Sequence, residues 1–330
     1  MESAMAAEMN LPPAARDFLA MHGWGAASIA PITGDASFRR YFRVHDASRT
    51  AVLMDAPPPV EDPRPFIDIA RWLYARGFAA PEVLAVDLDH GLVLIEDFGD
   101  DRMREAVDAD PARAPALYRA AVDVLVGLHR QSPPPLTAYD RAAMDEKTQL
   151  LIDWYCPAVG LAPDMAAYRA AWGEVLDQAV PEQPVIVLRD YHAENLMLVP
   201  DGRMGLLDFQ DATSGHPAYD LVSLLQDARR DVEPTIETEM LAHYRREANA
   251  GLDFDIAYHV LGAQRNTRII GVFARLWQRD GKPRYAALCP RVWGYLERDL
   301  AHPALAPVKA WFDANIPADL RGDPLVIAGR

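Results

Sequence analysis

The hydrophobic character of this chain changes near residue 100, from mainly strands to long helices, and the change limits which folds are open to it. Before that point the pattern is that of strands. Phe38, Arg40, Phe42 and Val44 fall on one parity and Arg39, Tyr41 and Arg43 on the other, the two-residue alternation of a sheet with unlike faces. A polar break at HDASRT separates them from the apolar run AVLM, so strand, turn, strand is predicted. A second strand pair is predicted in VLAVDLDHGLVLIEDFG, turning at Asp89-His90-Gly91. Between the pairs lie a proline-rich loop, DAPPPVEDPRP, and a helix over 64–76, where Phe66, Ile69, Ala70 and Leu73 recur at helical spacing and Gly77 supplies the stop. A short amphipathic helix over 11–22 precedes them, with Pro12 and Pro13 in its first turn and Gly23 at its end.

Beyond residue 100 apolar residues recur three and four apart, in ARAPALYRAAVDVLVGLHRQ, around 140–155 and over 164–179. A strand-rich island, 185–211, interrupts the helices, which resume and run to about 315. The expectation is an α+β chain with a small antiparallel β domain over 1–98, a connecting strand near 94–99, and a large mainly helical domain over 99–330, with a cleft between them as the natural place for a ligand. The net charge of −15, from 33 basic and 48 acidic residues, repels a phosphate backbone or an anionic bilayer, so neither nucleic acid nor membrane is expected as a partner. No protein partner is inferred either. Cys156 and Cys289 have neither disulfide-framework nor zinc spacing. No apolar run of about 18 residues occurs, and MESAMAAEMN does not read as a secretory signal. The cytoplasm is the expected compartment.

Chemistry concentrates in the island, VIVLRDYHAENLMLVPDGRMGLLDFQD. Asp190 and Asn195 are followed by a hairpin, turned at Pro200-Asp201-Gly202, that returns Asp208 beside Asn195. Isolated Asp and Asn residues usually make turns and caps. A second acid after an apolar hairpin is not explained that way; phosphoryl transfer explains all three. An attacking hydroxyl needs a proton acceptor within hydrogen-bond reach, a role for Asp190. The transferring group needs a divalent cation, and an amide oxygen with a carboxylate, Asn195 and Asp208, suits magnesium. Arg189 and Asp211 flank these positions as candidate substrate contacts.

D-x-x-x-x-N, an apolar strand and Leu206-Leu207-Asp208-Phe209 resemble the catalytic and metal loops of protein kinases. The closer resemblance is to the aminoglycoside phosphotransferase and choline-kinase-like family, through the D-x-H-x-x-N segment Asp190–Asn195 and Gly215-His216-Pro217-Ala218-Tyr219-Asp220-Leu221. It implies a protein-kinase-like two-lobed fold, ATP, Mg2+, and Asp220 and His192 as loop supports. Asp97-Phe98-Gly99 spells D-F-G but precedes Asp190, where a metal ligand should follow; the resemblance instead puts the backbone of Glu96 and Phe98 against an adenine edge.

GDASFRRYFR, VLMDAPP and the tail PRVWGYLERDLAHPALAPVKAWFD are similar to the bacterial anomeric sugar kinases that phosphorylate N-acetylmuramate and N-acetylglucosamine at C1 during cell-wall recycling. That subgroup implies a small-molecule amino-sugar substrate. A carboxylated sugar would suit an arginine, with Gln264, Asn266, Arg268 and Arg275 as pocket candidates; Trp154 and Tyr155 read as core. An aminoglycoside or amino-alcohol kinase is the alternative within the family.

The phosphate side departs from the kinase pattern. GDASFRRYFRV offers Gly34 and Ser37 for backbone approach to phosphates, but Met54 stands where V-A-I-K places its lysine, and the 64–76 helix has no glutamate. Two readings follow. Either the protein binds nucleotide without catalysis, or an arginine on the neighbouring strand, Arg40 or Arg43, supplies the charge.

Overall fold

The computed structural model describes residues 11–32, 38–47, 49–251 and 253–329. Its backbone contacts divide into two units, one of residues 1–105 with 194–211, the other of 106–193 with 212–330.

The first unit holds β1 (Ser28–Ile32), β2 (Arg40–Asp46), β3 (Arg49–Asp55), β4 (Val83–Asp87) and β5 (Leu92–Glu96), in an antiparallel sheet of order β1-β2-β3-β5-β4. Pro31 lies in an edge strand, where its missing N–H costs no ladder bond. Register fixes two faces: Phe42 pairs with Leu53 and Leu53 with Leu94, while Tyr41 pairs with Met54, Arg43 with Val52 and Val52 with Ile95. The first set joins Phe18 and Leu19 of α1 (Ala15–Met21) and Trp24 in a buried apolar cluster. Of the second set, Tyr41, Arg43, Val52 and Ile95 line a cavity. Helix α2 (Arg64–Tyr74) buries Phe66, Ile67, Ile69, Ala70 and Leu73, the apolar face expected from its spacing. The hairpin of β7 (Leu196–Leu198) and β8 (Met204–Leu206) belongs to this same unit. Leu206 N–H donates to Ala79 (2.7 Å) and Leu198 N–H to Asp101 (2.7 Å).

The second unit is mainly helical. The chain enters it through α3 (Met103–Ala109) and continues in α4 (Ala114–His129), α5 (Arg141–Leu150), a π-turn at Leu151–Tyr155, α6 (Cys156–Ala158) and α7 (Met165–Gly173). Strand β6 (Val185–Val187) pairs antiparallel with β9 (Thr213–Gly215), a strand the polar sequence TSG does not announce. Then follow α8 (Ala218–Leu225), α9 (Pro234–Ala248), α10 (Asp253–Gln278), α11 (Cys289–Leu300), α12 (Ala306–Asn315) and α13 (Pro324–Ala328). The longest, α10, is buried nearly all round, as a helix at the centre of a core must be. Tyr155 is fully buried and donates its hydroxyl hydrogen to Leu320 or Gly322, so it is a packing residue.

Candidate active site

In the helical unit the loop after β6 is held from below by α8. Asp220, in the first turn of that helix and fully buried, accepts the N–H of Leu188 (2.7 Å) and of Arg189 (2.8 Å) on its two carboxylate oxygens. One turn on, Ser223 donates to the Arg189 carbonyl (3.0 Å) and accepts from Arg265 of α10 (2.8 Å). Three consecutive backbone groups are thus fixed, and Arg189 is held at φ +70°, a left-handed conformation that costs a non-glycine residue about 1–3 kcal/mol and persists where surroundings impose it. Burial pushes the Asp220 carboxyl up to about 7, while the two N–H donors act the other way.

Asp190, half-buried, follows directly. Its N–H bonds to Leu188 O (2.9 Å) and its carbonyl accepts from His192 N–H (3.1 Å). Tyr191 anchors the loop beneath by donating to Ala121 O (2.8 Å). His192 lies 3.0 Å from the Arg229 guanidinium; burial and that charge push it down to about 3, so it is a neutral imidazole. The charge of Asp190 reaches Arg265 and Arg268 on α10. Arg268 donates to Tyr219 Oη (3.2 Å), and Arg265 is only 3% exposed with its Nε and Nη1 lacking hydrogen-bond partners among the described residues. Burial lowers the Arg265 pKa and Asp190 opposes that shift. Sequence reasoning missed Ser223 and Arg265. The available signals were their spacing, three residues beyond Asp220 and three before Arg268.

In the sheet unit the hairpin carries Asn195 into β7 and Asp208 out of β8. Asn195 donates through Nδ2 to Asp208 Oδ2 (3.3 Å), and Gln210 donates to Asp208 Oδ1 (2.8 Å). Leu207 N–H bonds to Asn195 O (3.0 Å), and Asp208 takes φ +58°. The next residue, Phe209, is fully buried and stacks on Phe66 at 5.0 Å, which fixes the strained turn from behind. Asn195, Asp208, Arg43, Glu96 and Phe98 line one cavity of about 480 Å³. Gly205 makes room for one wall: a Cβ there would lie 2.9 Å from the Phe98 ring. The N–H of Glu96 is committed to Glu82 O (2.9 Å), which narrows the expected backbone contacts to the Glu96 carbonyl and the Phe98 N–H.

The other expected residues fall in different places. Arg43 is on the cavity wall, bonded to Asp100 (2.9 Å), Asp97 (3.2 Å) and the Gly99 carbonyl (3.1 Å). Arg40 is on the opposite face of the sheet, paired with the buried carboxylate of Asp55 (2.7 Å). Asp211 is exposed at the end of the hairpin segment. Gly34 and Ser37 lie outside the described residues. No group of three or more His, Cys, Asp or Glu side chains able to hold a metal occurs among the described residues. One amide and one carboxylate nevertheless fit magnesium, which completes its shell with water and substrate phosphates. Among the described residues no helix is long and apolar enough to cross a membrane.

The chain belongs to the phosphotransferase enzyme family (APH), whose family model matches residues 28–259. It is 38% identical to an N-acetylmuramate/N-acetylglucosamine kinase of Caulobacter vibrioides, covering 92% of this chain and 96% of that protein. A kinase of the same name from Pseudomonas aeruginosa is 39% identical, over 86% of this chain and 88% of that one. A solved choline/ethanolamine kinase family protein from Mesorhizobium loti shares the fold, with a TM-score of 0.61 at 19% identity over 90% of this chain and 98% of that one.

Proposed function

We propose that this phosphotransferase moves the γ-phosphoryl group of ATP to the anomeric hydroxyl of N-acetylmuramate or N-acetylglucosamine. Similarity to the two kinases of that name, over most of both chains, supports the substrate class. The observation that carries the chemistry is the Asn195–Asp208 pair on the wall of a cavity it shares with Glu96 and Phe98.

In this reading the Glu96 carbonyl and Phe98 N–H meet the adenine edge, and Asn195 and Asp208 hold Mg2+. The bound ion would neutralise charge on the transferring phosphoryl group. Asp190 accepts the proton of the C1 hydroxyl as its oxygen bonds to the γ-phosphorus. The bond from that phosphorus to the β,γ-bridging oxygen breaks, and ADP leaves with the electron pair. Asp220 and Ser223 hold the base in place through the backbone of Leu188 and Arg189. Arg265 and Arg268, whose pKa values respond to Asp190, offer positive charge to the lactyl carboxylate that distinguishes N-acetylmuramate from N-acetylglucosamine.

The test is ATP consumption with each sugar, with the product identified as the non-reducing 1-phosphate. Asp190→Ala is expected to lose about 10²–10⁴ in turnover, the usual contribution of a positioned general base. Turnover of amino alcohols or aminoglycosides with neither sugar accepted would overturn the substrate; nucleotide binding with no turnover across both panels would overturn the enzyme reading.

A further inference from the structure

The cavity of the sheet unit holds an arginine cluster that the proposed chemistry leaves unused. Cross-strand register puts Arg43 opposite Val52 and Val52 opposite Ile95, the residue before Glu96. Tyr41 and Met54 form the row that the kinase pattern gives to its phosphate-binding lysine, two residues away along their strands, about 6–7 Å. Arg43 thus shares a row with the end of β5, from which the base-binding backbone continues.

The contacts of Arg43 converge on that backbone. Its guanidinium forms an ion pair with Asp97 (2.8 Å), donates to Asp97 Oδ1 (3.2 Å) and the Gly99 carbonyl (3.1 Å), and donates to both carboxylate oxygens of Asp100 (2.9 Å each). Asp97 Oδ1 in turn accepts the Gly99 N–H (2.9 Å), and Gly99 turns the chain at φ +79°. These bonds bracket Phe98, whose ring packs against the cluster of Ala79, Met197 and Val199. The two carboxylates are unequal. The side chain of Asp97 is 5% exposed and that of Asp100 is 84% exposed. An exposed ion pair contributes about 0–1 kcal/mol, so Asp97 is the anchor. Charge balance speaks against a phosphate role: Arg43 meets two carboxylates, and Arg102 and Glu105 on the same wall add one charge of each sign. The cluster offers a triphosphate no net positive charge.

We propose that Arg43 is a positioning residue for the base: by gripping Asp97 and Gly99 it fixes the Phe98 N–H against the adenine edge and so makes the site prefer adenine to a 6-oxopurine. This rests on the reading of the cavity as a nucleotide site. A 6-oxopurine replaces the amino donor of adenine by a carbonyl acceptor, and the N1 acceptor by an N–H donor. It therefore meets the Glu96 carbonyl and the Phe98 N–H with like groups, and a hydrogen-bonding site rejects such an analogue only while its own groups stay fixed.

Titration calorimetry with adenosine, inosine and a non-hydrolysable ATP analogue plus magnesium tests this. Wild type is compared with Arg43→Gln, Arg43→Lys and Asp97→Asn, each first checked for an unchanged circular dichroism spectrum. Arg43→Gln is expected to weaken adenosine about tenfold, about 1.4 kcal/mol, to weaken the analogue by the same factor, and to leave inosine within about twofold. Arg43→Lys should recover little of the loss, because one ammonium cannot replace the planar fork. Asp97→Asn, nearly isosteric, should reproduce the loss and carries the test if Arg43→Gln does not fold. A weakened analogue with unchanged adenosine, restored by Arg43→Lys, would make Arg43 a phosphate cation and overturn the inference. Variants that keep the wild-type preference for adenosine over inosine, or a wild type with no such preference, would overturn it and leave the nucleotide reading intact. A wild-type protein that binds none of the three would overturn both.

Discussion

At the scale of single residues, two positions pair an unusual backbone or contact with a proposed chemical role. Asp208 is a non-glycine residue at φ +58°, and asparagine is the substitute that best tolerates that region. Asp208→Asn should therefore fold with a melting temperature close to wild type while losing the negative charge that the proposed function gives to magnesium. Turnover should fall about a hundredfold or more, about 2.7 kcal/mol in barrier, with the magnesium dependence shifted to higher concentration; steady-state kinetics against magnesium checks this. Arg268 is half-buried and engages Tyr219. If it meets the lactyl carboxylate, Arg268→Gln raises KM for N-acetylmuramate about tenfold, about 1.4 kcal/mol, and leaves N-acetylglucosamine within about twofold. Equal losses on the two sugars would remove it from that role.

At the scale of elements, the firmest device is the clamp of α8 on the loop that follows β6. Removing the Asp220 carboxylate leaves two N–H groups without their acceptors, and each unsatisfied buried donor costs about 1–3 kcal/mol. Asp220→Ala should thus lower stability in urea by a few kcal/mol and lower turnover as well; Asp220→Asn, which keeps one acceptor, should lose less of both. Helix α10 shows a second kind of constraint. A Cβ at Gly271 would lie 2.3 Å from the Leu150 carbonyl carbon, backbone that cannot swing aside, where α5 passes into the π-turn. Overpacking of this kind typically costs about 1–3 kcal/mol, so Gly271→Ala should shift the urea midpoint downward without changing nucleotide affinity.

At the scale of the whole molecule, the buried titratable groups set how stability varies with pH. Burial pushes His129 and His192 down to about 3 and His216 to about 4, from an ordinary 6.5. As pH falls below 6.5 the unfolded chain takes up protons on these histidines that the folded protein refuses, so stability drops with pH. Burial pushes Asp220 up to about 7 and Asp299 to about 6. Those two carboxyls hold protons in the folded protein that the unfolded chain releases above about 4, so their contribution falls as pH rises. Three histidines outweigh two carboxyls, so stability should decline on going from pH 6 to pH 4.5. Urea unfolding across that range measures the slope, and His129→Gln should flatten it.

What the chain spells locally was legible without coordinates. The period change near residue 100, the turn at Asp89-His90-Gly91, the amphipathic face of α2 and the hairpin between Asn195 and Asp208 all follow from patterns within a few residues, where backbone sterics and one-sided burial act directly. The family followed too, because its motifs are short and spaced along the chain. Strand β9 was not legible: TSG has no apolar alternation, and it pairs because β6 lies beside it. Nor were the partners of three neighbouring arginines. Sequence parity separates Arg40 from Arg39 and Arg43, whereas only the tertiary contacts pair Arg40 with Asp55, tie Arg43 to Asp97 and Asp100, and set Arg39 beside Glu61. Sequence determined which elements form and which residue types they carry. Tertiary pairing decided which face each charge occupies and which counter-charge it meets, because those depend on partners dozens of residues away.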